Sequence, residues 1–137
     1  IAAKADLKDK NVLVQADSSA LEALKAKDNK ALKDSFKNLD EVPEYNTAFL
    51  NLEAGSGDAI AMDIGVAEYQ LEQRGADKFK ILDEKLSTEQ YGIGFKLDNT
   101  ELRDTVQKTL KAMVKDGKFM EIAKKWKLEN AVCLKAE

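Results

Sequence analysis

At 137 residues the chain has the length of one domain and can bury a sizeable core. Its 22 Lys and Arg against 25 Asp and Glu give a formal charge of -3 with no basic stripe, which excludes nucleic acid as a partner. Histidine is absent and cysteine occurs once, as Cys133, which removes the commonest general base, an internal disulfide and a cysteine zinc site.

After a polar lead-in, Asp6-Leu7-Lys8-Asp9-Lys10, the run Val12 to Gln15 reads as a buried strand. Asp17, Ser18 or Ser19 then supplies an N-cap, and Glu22, three residues after Ser19, completes the spacing of a capping box. Leu21 and Leu24 fall on the inner face of the helix that follows. Asp28 to Lys33 is strongly polar, and Phe36 to Val42 is a weak strand ended by Pro43. A helix from about Asn46 to Ala54 carries Ala48, Phe49 and Leu52 on one face, and Gly55-Ser56-Gly57 stops it.

Ala59 to Met62 is the second clear strand, followed by a helix from Ile64 to about Gln73 that ends at Gly75. Phe79 to Leu82 reads as a short strand. Gln90 to Lys96 alternates as a strand through Tyr91, Ile93 and Phe95. The tail is the clearest helical pattern: Leu102, Val106, Leu110, Met113 and Val114 share one stripe, with Asp98, Asn99 or Thr100 as cap. Asp116-Gly117 breaks it. Phe119, Ile122, Ala123 and Trp126 then form the apolar face of a shorter helix, with Trp126 expected to anchor it. Strands alternating with helices predict a three-layer, mostly parallel α/β sheet. A flavodoxin-like domain without a ligand satisfies the same pattern.

Two segments carry chemistry. In an open parallel sheet, ligands bind beyond the carboxyl ends of the strands. There the first strand delivers the hydroxyls of Ser18 and Ser19 with the N–H groups of a helix start, which suits an anion. The second delivers the carboxylate of Asp63, which suits a cation. Both charges close together fit a zwitterion, and the commonest small zwitterion is a free amino acid. Each residue also has a plainer reading: the serines and Asp63 as helix caps, Asp58 as a strand-entry residue. Gln15 either finishes a backbone network or points into the cleft. Catalysis is poorly supported, since no histidine activates the serines and no Ser-x-x-Lys pattern replaces it. Gly55 and Gly57 do not follow a strand, which argues against a phosphate loop. No metal site or cofactor is implied.

The run Asp6 to Ser19 resembles the second-lobe entry of the extracellular solute-binding proteins of family 3, which serve polar amino-acid ABC importers. Leu52-Glu53-Ala54-Gly55-Ser56-Gly57-Asp58-Ala59 followed by Met62-Asp63 is similar to the family segment preceding a ligand-binding aspartate. Tyr91-Gly92-Ile93-Gly94-Phe95 resembles its return strand, and Asn99-Thr100-Glu101-Leu102 through Asp116-Gly117 to Lys125-Trp126 its closing helices. The resemblance covers nearly the whole chain in order. It implies one lobe of a type II periplasmic-binding-protein fold, with residues 1–96 as the second ligand-binding lobe. Residues 97–137 would be C-terminal helices that pack, in the family, on the first lobe.

The implied function is a two-lobed trap for a free amino acid, handing it to the membrane subunits of an ABC importer outside the cytoplasm. Ser19 would contact the ligand α-carboxylate with the backbone around Ser18, and Asp63 would hold the α-ammonium. Gln15 and Met62 would lie beside the ligand side chain, and both are neutral. Asp17 stands where the family often has glycine, and its charge opposes a carboxylate unless it points away. The family's first lobe has no counterpart in this sequence, and the chain opens on Ile1-Ala2-Ala3-Lys4-Ala5 like a mature or excised piece. The stripe on the closing helices is therefore expected to need a cover, either the missing first lobe or a second copy of the chain. The same two-lobed fold also serves sensors and dehydratase-like enzymes. An enzyme would need a further acid or base beyond Asp63, and a sensor would have flanking membrane spans in the complete gene.

Overall fold

The computed structural model describes residues 1–75 and 77–136, and the chain divides into two compact units, Ile1–Thr88 and Glu89–Glu137. The first unit is built on three parallel strands, β1 (Asn11–Gln15), β2 (Asn38–Val42) and β3 (Ala59–Ala61), in the order β2-β1-β3. The ladder pairs Leu13 with Asp40 on one side and with Ile60 on the other. Parallel neighbours cannot be joined by a tight turn, so each connection is a helical crossover. Helix α1 (Ser19–Lys25) and the short α2 (Lys30–Asp34) join β1 to β2, and α3 (Tyr45–Glu53) joins β2 to β3. The first crossover steps outward from β1, and the second steps back across it. Two right-handed crossovers in opposite directions place their helices on opposite faces of the sheet.

The core follows from that placement. Val12 and Val14 point to one face, where Ala20, Leu21 and Leu24 of α1 cover them with Leu7 and Ala61. Leu13 points to the other face and packs with Val42, Ala48 of α3 and Ile60. Burial on both faces is why β1 reads as an unbroken apolar run. The result is the expected three-layer α/β arrangement, and every strand pairing among the described residues is parallel. Gly57 lets the entry to β3 lie directly on this core: a Cβ there would stand 2.5 Å from Leu13 Cδ1.

Three expectations are corrected here. Phe79 to Leu82 forms no strand; Phe79 instead sets its ring edge-on against Phe49 of α3, with centroids 5.3 Å apart. Its run is apolar because it packs, not because it pairs. Gln90 to Lys96 likewise has no strand structure despite its alternation, and Ile93 stays 62% exposed. A strand requires a neighbour to take its N–H and C=O groups, and no ladder reaches this segment among the described residues. The polar stretch Asp28 to Lys33, for which the sequence offered no element, forms a short 3-10 turn (Lys27–Asn29) and α2, held by buried Asn29 and by Leu32 against the core. Finally, Ser18 rather than Ser19 is the N-cap of α1, so Glu22 is out of register for a capping box.

Helix α4 (Ile64–Arg74) follows β3 and ends at Gly75. In the second unit, α5 (Thr100–Lys115) starts at Asn99, whose Oδ1 accepts from Leu102 N–H at 3.4 Å. Gly117, at φ +84, takes the left-handed conformation that lets α6 (Lys118–Lys125) begin at once. Val106, Leu110, Met113 and Val114 are half-buried, whereas Leu102 is 48% exposed. Trp126 is 62% exposed and so does not anchor α6; the buried residue of that helix is Ala123. Cys133 is a free, exposed thiol.

Candidate functional site

The register Val14 to Ala61 brings the carboxyl ends of β1 and β3 level. The next residues, Gln15 and Met62, therefore stand side by side on neighbouring strands, roughly 5 Å apart in backbone spacing. Beyond them the two chains diverge. β1 passes into α1, on the Val12 and Val14 face. β3 passes into α4, which is fastened to α3: Arg74 lies 4.9 Å over the Phe49 ring, donates to Asn46 Oδ1 and pairs with Glu53 at 3.7 Å. Adjacent parallel strands whose helices leave toward opposite faces make a topological switch point, the crevice where open α/β sheets bind ligands.

Each predicted residue has a definite place at this edge. Ala16 N–H donates to Val42 C=O at 2.9 Å, and the chain then turns at Asp17 with φ +54. Glycine meets that conformation without cost, and aspartate is one of the few side chains that tolerates it. Asp17 is exposed. The Ser18 hydroxyl accepts from Leu21 N–H at 3.2 Å and donates to Gln15 C=O at 2.7 Å. Its proton is thus spent on the chain itself. Ser18→Ala is expected to lower stability by about 1 kcal/mol, the usual worth of a cap; thermal melts of the variant check this.

Ser19 is the first residue of α1 and is exposed. Helix α1 has only 7 residues, so its dipole adds little and the hydroxyl and local N–H groups carry any anion contact. Asp63 is the N-cap of α4, and its Oδ1 accepts from Gly65 N–H at 2.8 Å and Val66 N–H at 3.1 Å. A carboxylate has two oxygens and several lone pairs, so capping and ligand contact are compatible. Both serines and Asp63 therefore sit at helix starts on one edge of the sheet. Gln15 donates its amide N–H to Pro43 C=O at 3.1 Å, across to the end of β2. Asp58 is the expected strand-entry residue: its Oδ2 accepts from Asn11 N–H at 2.8 Å.

Sequence reading missed Arg74, whose guanidinium locks α4 to α3. The available signal was local: Gln70 lies one turn earlier and accepts from Arg74 Nε at 2.9 Å. Among the described residues, no group of three or more acidic, cysteine or histidine side chains could hold a metal, and no helix is long and apolar enough to cross a membrane.

Residues 4–129 match the bacterial extracellular solute-binding proteins, family 3. The glutamine-binding protein of an ABC transporter from Bacillus subtilis (strain 168) is 30% identical over 90 residues, covering 66% of this chain and 32% of that protein. An ancestral arginine-binding protein bound to glutamine superposes with a TM-score of 0.71 at 32% identity, over 94% of this chain and 55% of its own. An ancestral arginine-binding protein bound to arginine gives 0.71 at 34% identity, over 92% and 54%. The chain thus spans about a third of the curated relative and about half of the solved ones. Sequence match, parallel topology and the switch point agree: the chain belongs to family 3 of the bacterial extracellular solute-binding proteins.

Proposed function

We propose that this chain is the amino-acid-binding lobe of a receptor that delivers its ligand to the membrane subunits of an ABC importer, outside the cytoplasm. The observation that carries it is the level pairing of β1 and β3 at the switch point, which puts Ser19 and Asp63 on one edge. Asp63 takes the α-ammonium, and Ser19 with the backbone at Ser18 takes the α-carboxylate. Met62 and Gln15 border the ligand side chain, Gln15 through the face left by its bond to Pro43. Relatives bound to arginine and to glutamine support this reading, because those ligands share the charged amino-acid head group that such an edge would hold and differ in the charge at the end of the side chain. The family is one of binding proteins, not enzymes.

Residues 1–96 then act as the second ligand-binding lobe and 97–137 as its closing helices. The stripe on α5 is covered by the first lobe in the complete receptor, and by a second copy when the chain is alone. Calorimetry of the complete two-lobed gene product against free amino acids tests the assignment. Binding should require both head-group charges, so that the des-amino and the amide analogues of the best ligand both fail. A product that binds none of the free amino acids would overturn the reading.

A further inference from the structure

The later part of the second unit is basic in a chain that is not. Residues 105–128 carry seven lysines against two carboxylates, a local charge of +5, while the whole chain stands at -3. On α5, Lys108, Lys111 and Lys115 follow one another at spacings of three and four, so they share one face, on the far side of the helix from Val106, Leu110 and Met113. Among the described residues none of these three lysines takes part in an ion pair, and neither do Lys124 and Lys125 of α6. Like charges one turn apart repel. The ridge is therefore complementary to an anionic surface rather than to anything in its own unit.

Helix α6 adds an apolar edge to this charge. It packs on α5 and Ala123 is buried, yet Ile122 is 41% and Trp126 62% exposed. Trp126 N–H donates to Ile122 C=O at 3.3 Å, one helical turn back, so the two side chains stand on one face. Lys118, paired with Glu121 at 3.0 Å, lies one turn before Ile122, and Lys125 lies one turn after it. An exposed tryptophan beside an aliphatic side chain, bordered by lysines on long apolar stems, has the chemistry of a membrane–water interface. The ring and the aliphatic chain enter the head-group layer while the ammonium groups stay with the phosphates. We propose that α6, with the basic ridge of α5, docks on an anionic phospholipid surface. The family is bacterial and extracellular, and the outer face of a bacterial membrane bears phosphatidylglycerol. The inference uses no residue of the amino-acid site and stands whether or not that site binds.

Trp126 is the chain's one tryptophan, so its emission reads α6 directly. Phosphatidylglycerol vesicles should shift that emission to the blue, phosphatidylcholine vesicles should not, and high salt should reverse the shift. Lys124→Gln with Lys125→Gln should lower partitioning roughly tenfold or more, since each lysine near an anionic surface contributes about a factor of five. Both side chains are exposed, so the melting temperature should stay unchanged. Equal partitioning to the two lipids, or none to either, would overturn the proposal. So would an emission that shifts with protein concentration and not with lipid, which would make a second copy of the chain the cover of α6. The complete two-lobed product should sediment with the same phosphatidylglycerol vesicles. If it stays in solution while the chain alone binds, the first lobe covers α6 and the membrane docking fails.

Discussion

Asp63→Asn is expected to weaken amino-acid binding by the complete receptor roughly ten- to 150-fold, the equivalent of losing charge-assisted hydrogen bonds worth about 1.5–3 kcal/mol. The substitution is well controlled. Asparagine caps a helix as well as aspartate does, so its side-chain oxygen can keep the bonds from Gly65 and Val66 N–H that hold the start of α4. Melting temperature should therefore barely change while affinity falls. Ser19→Ala should cost only about two- to twelve-fold, because one neutral hydroxyl contributes roughly 0.5–1.5 kcal/mol and the backbone N–H groups remain. Calorimetry on the two variants gives the ranking. Unchanged affinity in a folded Asp63→Asn protein would reduce that carboxylate to a cap and remove the ammonium site.

The second large effect concerns α5. Val106 and Leu110 lie in the middle of its apolar stripe, half-buried, next to an exposed Leu102. An apolar patch of this kind favours association, so the chain on its own should self-associate in light scattering, with a mass that rises toward twice the monomer. The double substitution Val106→Asp with Leu110→Asp puts two carboxylates into that contact, each costing several kcal/mol if desolvated without a partner. The mass should fall to that of a monomer while far-UV circular dichroism keeps its helical signal. An unaltered chain that stays monomeric over a wide concentration range would show that no second copy covers the stripe.

Much of this was legible because burial leaves period and punctuation in the sequence. β1 could be read from Val12-Leu13-Val14, since only a strand covered on both faces needs three apolar residues in a row. α3 and α4 announced themselves by the glycines that end them, and α5 by its long stripe and its polar cap. The false strands had the opposite cause. Phe79 and its neighbours are apolar for a ring contact with Phe49, and a composition signal does not distinguish packing from pairing. Tyr91 to Phe95 alternates correctly, but alternation describes one strand and a ladder needs two. α2 was missed because its stability comes from outside it, through the buried amide of Asn29 and the packing of Leu32. At the candidate site the residues were legible and their hydrogen bonds were not. The choice between Ser18 and Ser19 as cap depends on the left-handed turn at Asp17, a backbone angle that either serine would have fitted.

The central strand is also the earliest of the three in chain order. During synthesis Val12-Leu13-Val14 emerges well before Asn38–Val42 can take one edge of it, and before Ala59–Ala61 can take the other. Through that interval a β-prone apolar segment stands with both edges open, the condition under which nascent chains stick to one another. Its flanks answer the hazard: Lys8, Asp9 and Lys10 precede it and Asp17 follows it, charges placed where they interrupt any longer sticky run. Asp17 in place of the glycine its backbone angle would favour then has a use apart from any ligand. It guards the strand that must wait longest for its neighbours.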